Sequence, residues 1–93
     1  MEPSKIIHKN IRITGRVQGV GFRYSARNEA TALGINGFVR NLPNGDVYME
    51  AEGTLNQLEN FISWCHDGPI RAVIKNVDVY DGDVMQFEGF KIR

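Results

Sequence analysis

Apolar and polar side chains alternate from residue 6 to residue 14. Ile7, Ile11 and Ile13 share one parity, and His8, Asn10, Arg12 and Thr14 share the other. Successive strand side chains point to opposite faces, so this run predicts a half-buried strand, interrupted on its apolar side by Lys9. At Phe22 the period changes. Phe22, Ala26, Ala30 and Leu33 recur at helical spacing before Gly34, which predicts a helix over 22–33. A second strand is expected over about 35–42. The tetrad Leu42-Pro43-Asn44-Gly45 then carries the Asn-Gly pair of a tight hairpin. The third strand alternates cleanly, with Val47, Met49 and Ala51 inward and Tyr48, Glu50 and Glu52 outward. Thr54 and Gln57 stand at capping-box spacing and open a second helix. That helix is expected to bury Leu55, Leu58, Phe61, Ile62 and Cys65, and to stop at Gly68-Pro69. A fourth strand is predicted over 72–80, where Lys75 breaks the alternation. After Asp81-Gly82-Asp83 comes a short last strand that includes Phe87, Phe90 and Ile92.

The order is β-α-β-β-α-β with an added C-terminal strand. It predicts an α+β ferredoxin-like sandwich, with two helices on one face of a four- to five-stranded, mainly antiparallel sheet. A chain of 93 residues has room for one modest core, so residues 1–93 are read as a single domain whose first five residues are flexible. This topology hosts enzymes, RNA-binding modules and regulatory domains, so function must be read from a site.

Charge removes one class of partner. Eleven basic residues balance eleven acidic ones, and a neutral chain lacks the electrostatic footprint of a general nucleic-acid binder. Cys65 is the only cysteine, which precludes an intramolecular disulfide and suits a reducing cytosol. The start, Met1-Glu2-Pro3-Ser4-Lys5, has no signal-peptide pattern, and no stretch is apolar enough to cross a bilayer. The expectation is a cytoplasmic monomer with no nucleic-acid or membrane partner.

The candidate chemistry lies between the first strand and the first helix. Gly15-Arg16-Val17-Gln18-Gly19-Val20-Gly21-Phe22 sets three glycines within seven residues just before that helix. Glycine permits φ > 0, so consecutive N–H groups can turn inward around a small anion. The helix start adds unpaired N–H groups and the positive end of its dipole. Arg23, in the first turn, can close on the same anion with two parallel hydrogen bonds. A Walker loop would need Lys-Ser or Lys-Thr after its last glycine, where this chain has Phe22-Arg23; a dinucleotide fingerprint would need glycine at Tyr24. Phosphate is the expected ligand, and a glycine-rich turn without any ligand is the alternative. Topology adds one residue. Strand 2 returns to the loop end, and Asn41 shares the parity of Val39. If Val39 faces the helices, Asn41 sits at the rim where helix 1 begins, although asparagines near turns commonly just stabilise them.

These residues resemble the acylphosphatase family. Its first signature, an aliphatic residue, a variable one, then Gly-x-Val-Gln-Gly-Val-x-Phe-Arg, is met from Ile13 to Arg23. Its second is met by Gly37-Phe38-Val39-Arg40-Asn41, Gly45, Val47 and Gly53. Gly68-Pro69 and the ending Phe90-Lys91-Ile92-Arg93 are similar too, although the terminal tyrosine of many members is missing. The resemblance implies hydrolysis of acyl phosphates, the mixed anhydrides of a carboxylic acid and phosphoric acid. Arg23 and the loop amides would bind the phosphoryl group, Asn41 would orient the attacking water, and inorganic phosphate would be both product and competitive inhibitor. No metal, cofactor or covalent phosphoenzyme is implied.

The chemistry is coherent with so few groups. A carboxylate of pKa about 4 leaves without protonation, so no general acid is required. Phosphoryl transfer then asks mainly for positioning and charge stabilisation. Other residues read as structural. His8 belongs on the open sheet face, and Tyr48, Glu50 and Glu52 on the same solvated side. Cys65 falls on the core stripe. Cys65 and His66 diverge by about 100° on a helix and make no metal pair. Arg16 is read as solvated. An RNA-recognition module would need stacking aromatics on two central strands and a basic surface, and the first strand has no aromatic. A non-catalytic anion-binding domain, or a piece of a larger carbamoyl-transferring machine, is a nearer rival. The joint presence of Arg23 and Asn41 weighs against it.

Overall fold

The structure, a computed structural model, describes residues 5–93. Residues 1–4, most of the start expected to be flexible, lie outside the described residues. The elements are β1 (Ile7–Arg16), α1 (Phe22–Leu33), β2 (Asn36–Asn41), β3 (Val47–Gly53), α2 (Leu55–Asp67), β4 (Val73–Gly82) and β5 (Phe90–Ile92). The sheet order is β4-β1-β3-β2-β5. Every pairing is antiparallel except β2 with β5, which is parallel. This is the expected ferredoxin-like sandwich with one strand added at the β2 edge.

The core lies between one sheet face and the helices. Ile11, Ile13, Val39, Val47, Met49 and Ala51 rise from the sheet, and all are fully buried. Phe22, Ala26 and Ala30 descend from α1, and Leu58, Phe61 and Cys65 from α2. Thr54 and Gln57 close the capping box on α2: the Gln57 amide donates to Thr54 Oγ1 at 3.2 Å, and the Thr54 amide to Gln57 Oε1 at 2.8 Å. Leu55 departs from expectation and is exposed. Helical side chains tilt toward the N-terminus, so the side chain of the first residue reaches back past the helix end.

Two further departures bear on the site. β1 runs on to Arg16, and its pairing with β4 shifts register between Thr14, opposite Asn76, and Gly15, opposite Ile74. Lys75 is the extra residue of a β-bulge, which lets Ile74 and Val77 both pack toward the core despite their odd spacing. The broken alternation at Lys75 is this bulge. β4 and β5 also lie at opposite sheet edges, so residues 83–89 must cross the outer face. Four strand spacings span about 19 Å, and seven residues reach at most about 25 Å. The segment is therefore long enough to cross that face, with length to spare for the left-handed turns at Gln86 and Gly89.

The crossing corrects the reading of an open outer face. Phe87 is not in the last strand; its ring stands on the outer face, 5.7 Å from Phe38 and 5.9 Å from His8. Beneath the segment, His8 and Glu52 are buried at 3% and 2% exposure. His8 Nδ1 is hydrogen-bonded to Glu52 at 2.6 Å and Nε2 to Asn10 Oδ1 at 2.9 Å, and Glu50 Oε1 lies 3.2 Å from Nε2. The Met85 and Phe87 amides donate to Glu52. Burial alone would push the imidazole pKa down, but the hydrogen bonds to Glu52 and Asn10 and the Glu50 and Glu52 charges outweigh it and raise it. Burial would likewise push Glu52 up, and His8 with the two amides holds it low instead.

Candidate active site

The glycine loop is built by a strand that overruns. Gly15 lies opposite the bulge of β4 at φ 135°, and a Cβ there would stand 2.1 Å from the Val73 carbonyl oxygen. Only glycine permits this approach, and it lets β1 run on into the turn. The turn ends at Gly21, the N-cap of α1, at φ 79° and ψ 18°. No side chain caps that helix, and no acidic residue occupies its first turn. The first bond of the helix is donated by the Ser25 amide to the Gly21 carbonyl. The amides of Phe22, Arg23 and Tyr24 thus precede the helical ladder, and the dipole at this end favours an anion.

A hollow of about 200 Å³ opens at this helix end, and Arg23 and Asn41 both line it. Val17, Gln18, Gly19, Gly21 and Phe22 contribute to its wall, as does Tyr24. Parity delivers Asn41 as expected: Val39 is fully buried under the helices, and Asn41 follows two residues later at the strand end. Gly15, Arg16 and Val20 do not line the hollow. Gly15 and Arg16 are paired in β1, and Val20 is buried at 8% exposure. A larger, open depression of about 430 Å³ lies over Ile6, His8 and Val84, away from Arg23 and Asn41.

Gln18 has a role that its motif position does not disclose. Its side-chain amide leaves the hollow and donates to two carbonyls of the β2–β3 hairpin, Leu42 at 2.8 Å and Asp46 at 2.9 Å. The hairpin is itself closed by the Leu42 amide donating to Asp46 at 2.8 Å. Gln18 thereby ties the loop before Arg23 to the residue after Asn41. Arg12 reinforces the same corner by donating to the Asp46 carboxylate at 2.7 Å.

Arg23 is half-buried, and among the described residues no carboxylate lies within 4 Å of it. A half-buried guanidinium beside uncapped amides forms an electropositive concavity. An anion entering it would meet backbone donors and a planar two-pronged donor together. Cys65 is fully buried and its thiol is pushed up by burial, so it stands outside this chemistry. His66 is exposed in the last turn of α2 and does not line the hollow. Among the described residues no group of three or more His, Cys, Asp or Glu side chains is placed to hold a metal ion, and no helix is long and apolar enough to cross a membrane.

Comparison with known proteins agrees with the fold and the motifs. An acylphosphatase of Nostoc sp. is 43% identical over 90 residues, covering 97% of this chain and 89% of that one. The solved structure of an acylphosphatase from Coxiella burnetii has a TM-score of 0.92 at 33% identity, covering 95% of this chain and 93% of that one. HypF of T. kodakarensis holds a similar unit within a much longer chain, with a TM-score of 0.80 at 29% identity, covering 92% of this chain and 11% of HypF. The acylphosphatase family model matches residues 9–92. The chain belongs to the acylphosphatase family.

Proposed function

We propose that this chain hydrolyses acyl phosphates to a carboxylate and inorganic phosphate in the hollow at the start of α1. The observation that carries the reading is that Arg23 and Asn41, from different elements, both line the hollow beside the glycine turn. The phosphoryl oxygens accept hydrogen bonds from the loop and helix-start amides and from the Arg23 guanidinium. Asn41 holds a water in line with the bond to be broken. Its amide is too weak a base to ionise that water in the ground state. The water oxygen attacks phosphorus, the bond from phosphorus to the acyl oxygen breaks, and the electron pair leaves on the carboxylate. A phosphoryl oxygen takes the proton of the water. A leaving group of pKa about 4 needs no acid, so catalysis consists of positioning and of stabilising the equatorial charge.

Purified protein incubated with benzoyl phosphate and excess chelator should release inorganic phosphate at the rate seen without chelator. Added phosphate should inhibit competitively, because it shares the recognised group. Activity that chelation abolishes and a divalent cation restores would overturn the metal-independent mechanism.

A further inference from the structure

The hollow gives the phosphoryl group its donors, and its other walls bear on the remainder of the substrate. Val17 and Phe22 are committed to the core, at 1% and 2% exposure. Gln18 is committed to the hairpin carbonyls. Gly19 and Gly21 present no side chain, and a Cβ at either would meet nothing within 4 Å, so that rim is open. Arg23 and Asn41 are occupied by the phosphoryl group and the water. One lining side chain is left: Tyr24, which is 64% exposed.

Tyr24 is also held. The Arg27 guanidinium, one helical turn on, lies 5.1 Å from the centre of its ring. A cation at that distance is attracted to the ring face and limits the rotamers of the aromatic side chain. The result is a semi-rigid aromatic surface on the residue next to Arg23, at the mouth of the hollow. An exposed ring held in this way keeps an apolar surface in water, and a bound apolar or planar group can cover it.

Resting on the proposed acylphosphatase reading, we infer that Tyr24, braced by Arg27, is the contact for the acyl group, and that it selects aromatic and other extended apolar acyl phosphates over acetyl phosphate. Tyr24 is a specificity determinant and takes no part in the bond-breaking step. The phenol hydroxyl is not required, because the ring face makes the contact.

The test compares kcat/KM for benzoyl phosphate and acetyl phosphate in the parent protein, Tyr24→Ala and Tyr24→Phe, with the inhibition constant of inorganic phosphate measured for each. Tyr24→Ala should lower the benzoyl-to-acetyl ratio about five- to tenfold, the scale of one aromatic contact, with the change falling mainly on KM. Tyr24→Phe should keep the ratio within about twofold of the parent. Phosphate has no acyl group, and its inhibition constant should move less than about twofold in both variants. An unchanged ratio in Tyr24→Ala overturns the inference, as does a Tyr24→Phe as defective as Tyr24→Ala. Weakened phosphate inhibition in step with benzoyl phosphate also overturns it, because Tyr24 would then be shaping the phosphoryl pocket. A parent protein inert toward both substrates overturns the inference together with the reading beneath it, whereas an active parent with an unchanged ratio removes the inference alone.

Discussion

Gln18 and Asn41 illustrate how differently single residues can be read from sequence. Asn41 could be placed at the loop because strand parity is a local rule: Val39 faces the core, so Asn41 does too. The side-chain direction of Gln18 could not be read that way. It depends on where the hairpin carbonyls stand, and those are fixed only when β2 returns beside the loop. As a tie between loop and hairpin, Gln18 should act on turnover through the placing of Asn41. Gln18→Ala is expected to lower kcat about ten- to a hundredfold, the scale of a misplacement near one ångström. It should cost about 1–2 kcal/mol of stability for two lost hydrogen bonds. Steady-state kinetics alongside urea unfolding check both, and a kcat within twofold of the parent would remove the tie from the mechanism.

Among the elements, α1 and α2 were legible almost to the residue. Their apolar period is long and their caps are chemical signals, Gly34 for one and the Thr54–Gln57 pair for the other. β4 was legible only as a fault at Lys75, because a bulge needs a partner strand to define it. The crossing of residues 83–89 was invisible. Glu50 and Glu52 alternate with Met49 and Ala51, a pattern that reads as a solvated face, and nothing local shows that Glu52 receives two amides from the crossing segment. The buried pair has a pH consequence. The His8 pKa is raised above its ordinary 6.5, so its stabilisation is whole below that value and is lost as pH climbs through the raised one. Glu52 is held below its ordinary 4.5, so its stabilisation is whole above that value and is lost as pH falls through the lowered one. Stability should therefore be greatest between these ordinary values and decline on both sides. Glu52→Ala at pH 6 should cost about 1–3 kcal/mol, because the Met85 and Phe87 amides lose their acceptor and His8 keeps only Glu50, at 3.2 Å, and Asn10 as partners. It should also speed amide exchange at Met85 and Phe87 and flatten the alkaline decline. A denaturation midpoint series across pH checks this, and an unperturbed Glu52→Ala would refute the stabilising role of the Glu52 contacts.

On the scale of the whole molecule, the proposed site lies at one end of the sandwich, and the buried His8–Glu52 pair lies on the sheet face away from the helices. The site needs no element of its own. β1 overruns through Gly15, α1 begins without a cap, and β2 ends at Asn41, so three element ends meet where an anion can be surrounded by donors. Sequence disclosed that meeting because each contributor follows from connectivity and parity. It did not disclose where the motif side chains go: Gly15 and Arg16 are paired in β1, and the Val20 side chain is buried in the core. The division of labour between Arg23 and Asn41 is the centre of the mechanism. Both alanine variants should be made, their folding checked by circular dichroism, and kcat for benzoyl phosphate measured beside the inhibition constant of inorganic phosphate. Arg23→Ala should lose phosphate affinity and turnover together, and Arg23→Lys should recover little, because an ammonium cannot supply two parallel hydrogen bonds. Asn41→Ala should keep phosphate affinity nearly intact while kcat falls by about 10²–10³-fold, the loss expected for one preorganised transition-state contact. A folded Asn41→Ala that turns over normally would contradict the mechanism and return Asn41 to the role of a turn residue.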